Sequence, residues 1–126
     1  MEELPTPTAR ELEILKVLWE DEACSVRTVH RVLARFNRDL AYNTVQTLLR
    51  IMEEKGLVGH RVEGRTFIYT PQFTREESAA RFVDRVFDGA ASQLVLSLLR
   101  SERISTEELD AMQTMIAKAR RKKASR

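Results

Sequence analysis

The chain has 126 residues and a formal net charge of +2, with 43% hydrophobic and 32% charged residues. That length accommodates one compact domain, or a small domain with an oligomerisation appendage, and the composition is that of a folded, helix-rich protein. No apolar run reaches the roughly 18 residues of a membrane span, the polar opening MEELPTPTARE is not a secretory signal, and cytoplasmic residence is the expectation.

Thr8–Glu11 (T-A-R-E) is a capping box that opens a first helix, in which Leu12, Leu15, Leu18 and Trp19 repeat at helical spacing beside Ile14. Trp19 reads as a core anchor. Glu20, Asp21 and Glu22 close this helix against its dipole, which places them in solvent. Cys24 is the single cysteine, so neither an intrachain disulfide nor a thiolate metal cluster can form within one chain. Two readings of it stay open: a small half-buried residue near a helix–helix turn, or a redox-sensing thiol. His30 and His60 lie far apart without a ligand pattern, and no metal, cofactor or small-molecule ligand is expected.

Ser25 caps a second helix striped by Val26, Val29, Val32 and Leu33, with Arg27, Arg31 and Arg35 on its other faces. After a turn at Phe36, Asn37 and Arg38, the segment Asp39-Leu40-Ala41 re-enters helix. This third helix, about 41–55, carries Val45, Leu48, Leu49 and Met52 as its core face, and Gly56 stands at its C′ position. Leu57–Val62 and Thr66–Thr70 are then rich in β-branched and aromatic residues, with Glu63-Gly64-Arg65 as the reversal of a hairpin and Pro71 as its end. Phe67 and Tyr69 share one side of their strand, so at least one of them belongs to the core.

Three helices followed by a hairpin are the winged-helix order. Beyond Pro71 come two more capping boxes, Thr74–Glu77 (T-R-E-E) and Ser105–Glu108 (S-T-E-E), and apolar stripes on three further helices. The stripes hold Ala79, Phe82, Val83, Val86 and Phe87, then Leu94, Val95, Leu98 and Leu99 after a break at Gly89, then Leu109, Met112, Met115 and Ile116. About 50 residues are too few for a self-sufficient core, so these stripes require a partner, and a second copy of the chain is the simplest supposition. Phe82, Val83, Val86, Phe87, Leu94, Leu98 and Met112 are the candidate dimer contacts. The expected fold is mainly α with a small β-hairpin: a winged helix-turn-helix DNA-binding domain over 1–73, then a helical dimerisation domain over 74–126. The tail from Lys118 to Arg126 reads either as a solvated helix end or as a contact to phosphate or an acidic partner.

Between Cys24 and Thr70 the cations Arg27, Arg31, Arg35, Arg38, Arg50, Lys55, Arg61 and Arg65 face Asp39, Glu53, Glu54 and Glu63, a local +4, whereas the first 23 residues are acidic. A locally basic surface attracts a phosphate backbone. On a helical wheel of the third helix, Asn43, Thr47, Arg50 and Glu54 point away from the core face and Gln46 flanks them. Arg suits guanine, Asn or Gln suits adenine, and a Thr methyl suits thymine. Asn43, Thr44 and Thr47 are weak helix formers, which an ordinary solvated face would avoid. Arg61 and Arg65 bracket the hairpin turn within reach of phosphate or minor groove, with simple surface exposure as the alternative for Arg65. Candidate DNA contacts are thus Asn43, Thr44, Gln46, Thr47, Arg50, Arg65, Arg61 and Arg27. An enzyme is not indicated, because no paired carboxylate, nucleophile–base or phosphate-loop pattern is present. A winged-helix protein-interaction adaptor remains the competing reading; it would expose apolar residues on the third helix.

The run D-L-A-Y-N-T-V-Q-T-L-L-R-I-M-E-E-K-G-L-V (Asp39–Val58) resembles the recognition-helix segment of the penicillinase repressor family. The wing E-G-R-T-F-I-Y-T-P (Glu63–Pro71) and the opening E-L-E-I-L-K-V-L-W (Glu11–Trp19) resemble the same family, most tightly over residues 8–75. The resemblance implies a homodimeric repressor on a palindromic operator of double-stranded DNA. It also implies release when a membrane-bound sensor protease signals and the C-terminal helical region is cut. The family's Asn-Phe cleavage pair is replaced here by Ser97-Leu98, and the paired C-terminal cysteines of its copper-responsive branch are absent.

Overall fold

The computed structural model describes residues 6–36 and 40–125. The chain divides into two units, Met1–Ser78 and Ala79–Arg126.

The first unit opens with α1 (Ala9–Asp21), capped reciprocally as the T-A-R-E spacing requires: Thr8 Oγ1 accepts from the Glu11 amide at 3.2 Å, and Glu11 Oε1 accepts from the Thr8 amide at 2.8 Å. Ser25 likewise caps α2 (Val26–Arg35), its Oγ accepting from the Thr28 amide at 3.2 Å. The next helix, α3 (Tyr42–Lys55), starts later than the sequence suggests. Ala41 is its N-cap and offers no side-chain acceptor, while Asp39 lies outside the described residues. Gly56 ends the helix at φ 84°; its amide reaches the Glu53 carbonyl and the Leu57 amide reaches the Met52 carbonyl. That bond pair is a Schellman motif, which a residue with a Cβ would strain.

The wing consists of β2 (Val58–Glu63) and β3 (Thr66–Pro71), antiparallel from Val58↔Pro71 to Glu63↔Thr66. Glu63 is therefore paired, and the reversal shrinks to the two residues Gly64-Arg65, with Gly64 at φ 64°. A positive φ at the first loop position matches the right-handed twist of the strands. The hairpin also gains a third strand that the sequence did not announce: β1 (Cys24–Ser25) pairs with β3 through Cys24↔Tyr69 and Ser25↔Ile68, giving the order β1-β3-β2. Two residues are too short to show a period of two.

Ile14, Leu15, Leu18, Val29, Val45, Leu49, Met52 and Leu57 are completely or almost completely buried and bind α1, α2, α3 and the base of the wing into one core. Val32 and Leu48 are only half-buried at its margin, and Leu12 is half-buried too. Trp19 also packs there, donating its indole N–H to the Phe73 carbonyl at 2.9 Å and meeting the Phe73 ring edge-on. Of the strand pair Phe67 and Tyr69, it is Tyr69 that is core. The acidic end of α1 is partly engaged, since Glu20 accepts from Arg75 at 3.1 Å. Cys24 is buried, and burial together with the Asp21 charge pushes its thiol pKa up. A buried thiol held in its protonated form is a poor redox sensor, which favours the structural reading.

The second unit contains most of α4 (Arg75–Phe87), then α5 (Ala91–Arg100) and α6 (Thr106–Ala124). Both remaining capping boxes form, at Thr74–Glu77 and at Ser105–Glu108. No described residue of these three helices is buried. Within the described residues α6 is helical to Ala124.

Candidate nucleic-acid interface

The faces of α3 are sharply divided. Val45, Leu49 and Met52 are fully buried, which fixes the helix's rotation on α1 and α2, and Asn43, Thr44, Gln46, Thr47 and Arg50 are all exposed. At about 100° per residue, Asn43, Thr47, Arg50 and Glu54 fall within about 60° of one another. Gln46 and Tyr42 flank this row on one side, Thr44 and Ile51 on the other. Tyr42 and Ile51 add exposed apolar surface at the margins, while the central row is wholly polar. The Tyr42 ring meets His30 of α2 edge-on at 5.8 Å.

Two interactions that the sequence reading missed hold this helix and the wing in place. Glu11 is 1% exposed, and Lys55 at the end of α3 donates to both its carboxylate oxygens at 3.0 and 2.9 Å. Burial by itself would raise the Glu11 pKa; the Thr8 amide bond and the Lys55 ammonium outweigh it and hold the carboxyl below its ordinary range. Glu11 thus serves the α1 cap and the α1–α3 junction together. Further along, Glu53 on α3 bonds His60 Nδ1 on β2 at 2.7 and 2.8 Å. The His60 ring stacks on Phe67 at 4.1 Å and leans on Tyr69. The wing is thereby clamped to the helix whose face it accompanies. Burial and the Glu53 charge push the Tyr69 pKa up, with Arg50 acting in the opposite direction.

The candidate cations differ in freedom. Arg61 is held by Glu63, two residues along the same strand face, with Nη2 to Oε2 at 2.6 Å, so its charge is locally compensated. Arg65 is exposed in the loop at the wing tip, and Arg27 is exposed in the first turn of α2. Neither Arg65, Arg27 nor Arg50 has an ion-pair partner among the described residues. No cluster of three metal-ligating side chains occurs among the described residues. An open groove of about 390 Å³, lined by residues including Leu18, Trp19, Phe73 and Arg75, includes nothing from α3. No helix among the described residues is long and apolar enough to cross a membrane. In the second unit, Phe82, Val86 and Leu98 are exposed, whereas Val83, Phe87, Leu94 and Met112 are half-buried.

A helix-turn-helix with a polar, well-anchored outer face and a cationic wing defines a winged-helix DNA-binding protein. The family model described as penicillinase repressor matches residues 7–118, and the chain belongs to that family. A penicillinase repressor from Bacillus licheniformis is 28% identical over 98% of both chains. The transcriptional regulator BlaI of Mycobacterium tuberculosis is 32% identical, covering 85% of this chain and 80% of its own. Among solved structures, the monomeric form of Bacillus licheniformis BlaI in complex with the blaP half-operator superposes with a TM-score of 0.52 at 31% identity, over 61% of this chain and 93% of that one. The protein is a DNA-binding transcriptional repressor.

Proposed function

We propose that the protein represses as a homodimer on a palindromic operator, with the outer face of α3 in the major groove and the wing on the backbone or in the minor groove. The observation that carries this reading is the division of α3 into a fully buried row and a row of amide, hydroxyl and guanidinium groups. Arg50 addresses guanine, Asn43 and Gln46 address adenine, and Thr44 and Thr47 offer hydroxyl and methyl contacts. Arg65 and Arg27 position the protein on phosphates; Arg61, already paired with Glu63, adds less. The half-operator bound by the Bacillus licheniformis relative supports a two-fold arrangement, since a half-site is the share of one subunit. An adaptor is disfavoured by the polar centre of the α3 face.

Residues 1–73 then form the DNA-binding domain and 74–126 the dimerisation domain, acting in the cytoplasm. Dimer contacts come from Phe82, Val83, Val86, Phe87, Leu94, Leu98 and Met112. A sensor-protease signal would act on the C-terminal helices. Ser97-Leu98 lies within α5, so cleavage there requires that helix to unwind locally. The test of the groove assignment is Arg50→Ala, titrated by gel shift against genomic fragments that co-purify with the protein. Specific binding should weaken by about 1–3 kcal/mol with dimerisation unchanged, and unaltered affinity would remove α3 from the groove.

A further inference from the structure

We infer that the cationic end of α6 is a second, sequence-independent contact to the phosphate backbone of duplex DNA; this rests on the DNA-binding reading above. Lys118, Arg120, Arg121, Lys122 and Lys123 are all exposed on continuous helix. None has an ion-pair partner among the described residues. The sequence holds no carboxylate from Ala111 to Arg126, and the acids of α6 sit at its start, at Glu107, Glu108 and Asp110. The cations therefore face one another, with Lys118 three and four residues from Arg121 and Lys122, and Arg120 three from Lys123. Like charges at those spacings repel on a helix.

The helix dipole explains only part of this run, because its effect is confined to the last turn, and Lys118 and Arg120 precede it. A ligand of dense negative charge resolves the repulsion, and duplex DNA carries one charge per roughly 1.7 Å of its axis. A lipid surface fits less well. Residues 118–124 contain no apolar side chain larger than Ala, the exposed Met115 and Ile116 stand one turn before them, and DNA binding is the reading already given to the first unit.

The test compares full-length protein with a variant carrying K118Q, R120Q, R121Q, K122Q and K123Q, chosen because Gln preserves helix propensity. Binding to a mixed-sequence duplex is measured over a range of salt concentrations. Loss of the contact should make the slope of log K against log salt shallower by about 2 or more, at about 0.9 per phosphate contact. The charge-conserving variant R120K with R121K should keep the full slope. Equal slopes for wild type and Gln variant, with DNA still bound, would overturn the tail contact and leave the α3 reading standing. Failure of the wild-type protein to bind any duplex would overturn both. An unchanged DNA slope with lost retention on phosphatidylglycerol vesicles would assign the run to a lipid surface instead.

Discussion

The two units of this chain answer the same physical requirement in opposite ways. The first buries its apolar stripes within itself: Leu15, Leu18, Leu49 and Met52 are sealed against one another by a sheet of three short strands. The second has helices with equally clear apolar stripes and no buried residue among those described, leaving Phe82, Val86, Leu98, Met115 and Ile116 between 40% and 65% exposed. Exposed apolar stripes of this kind fit the dimer contacts proposed above. The contrast teaches that the first unit is closed by its own core, whereas the second leaves its stripes open, as the dimer proposed above requires. A dimeric repressor divides its labour in this way when DNA reading and assembly sit in separate parts of the chain.

The largest expected effect tests that division directly. Leu49→Ala removes a fully buried side chain from the first core and should cost about 2–5 kcal/mol of unfolding free energy, by an amount independent of protein concentration. Paired Phe82→Glu and Val86→Glu changes should leave that transition unmoved and abolish dimers in sedimentation, weakening operator binding through lost bivalency. A double variant that remains dimeric would move the interface off α4.

Next in size is the junction between α1 and α3. Lys55→Met strands the buried Glu11 carboxylate and should destabilise the first unit by roughly 2–3 kcal/mol in denaturant titrations. The same site sets an acid limit. The folded-state pKa of Glu11 is depressed, so its stabilising contribution is complete above the unfolded value of about 4.3 and is lost as pH falls through the lower folded value. Thermal midpoints of the wild type should drop in that window more steeply than those of Glu11→Gln. Parallel curves would show that Glu11 does not carry the effect.

How much of this was legible beforehand depends on the range of each interaction. Capping boxes, the α3 stripe and the Gly56 terminus are local, with every participant inside one or two turns, and all appeared at the expected residues except Leu48, which is only half-buried. The outward row Asn43, Thr47 and Arg50 followed from the same periodicity. The Glu11–Lys55 pair joins residues 44 apart, and nothing in a linear pattern distinguishes its glutamate from any other N3 carboxylate. The Glu53–His60 clamp spans a helix terminus and a strand start, where neither a period of 3.6 nor one of 2 applies. β1 was invisible because its pairing is dictated by β3, more than 40 positions away. Arg61 looked equivalent to Arg65 until the strand register set Glu63 on its own face.

The smallest effect lies at the end of α1, where the first unit tolerates strain. Glu22 has φ 66° and ψ −50°, and the Ala23 amide bonds the Asp21 carbonyl at 2.7 Å across it. This is the γ-turn of positive φ, a rare and strained geometry for a residue with a Cβ. It persists because α1 on one side and β1 on the other are fixed by buried Leu18 and Cys24, leaving the connection no longer path. Glu22→Gly relieves that strain while loosening the unfolded chain, for a net gain of about 0.5–1 kcal/mol at the denaturant midpoint. Asp88, at φ 51° in the second unit, provides the control. Asp tolerates the left-handed region, so Asp88→Gly should gain at most a few tenths of a kcal/mol, and only in the concentration-dependent transition. A gain at Asp88 equal to that at Glu22, and independent of concentration, would mean that the second unit is closed by its own core after all.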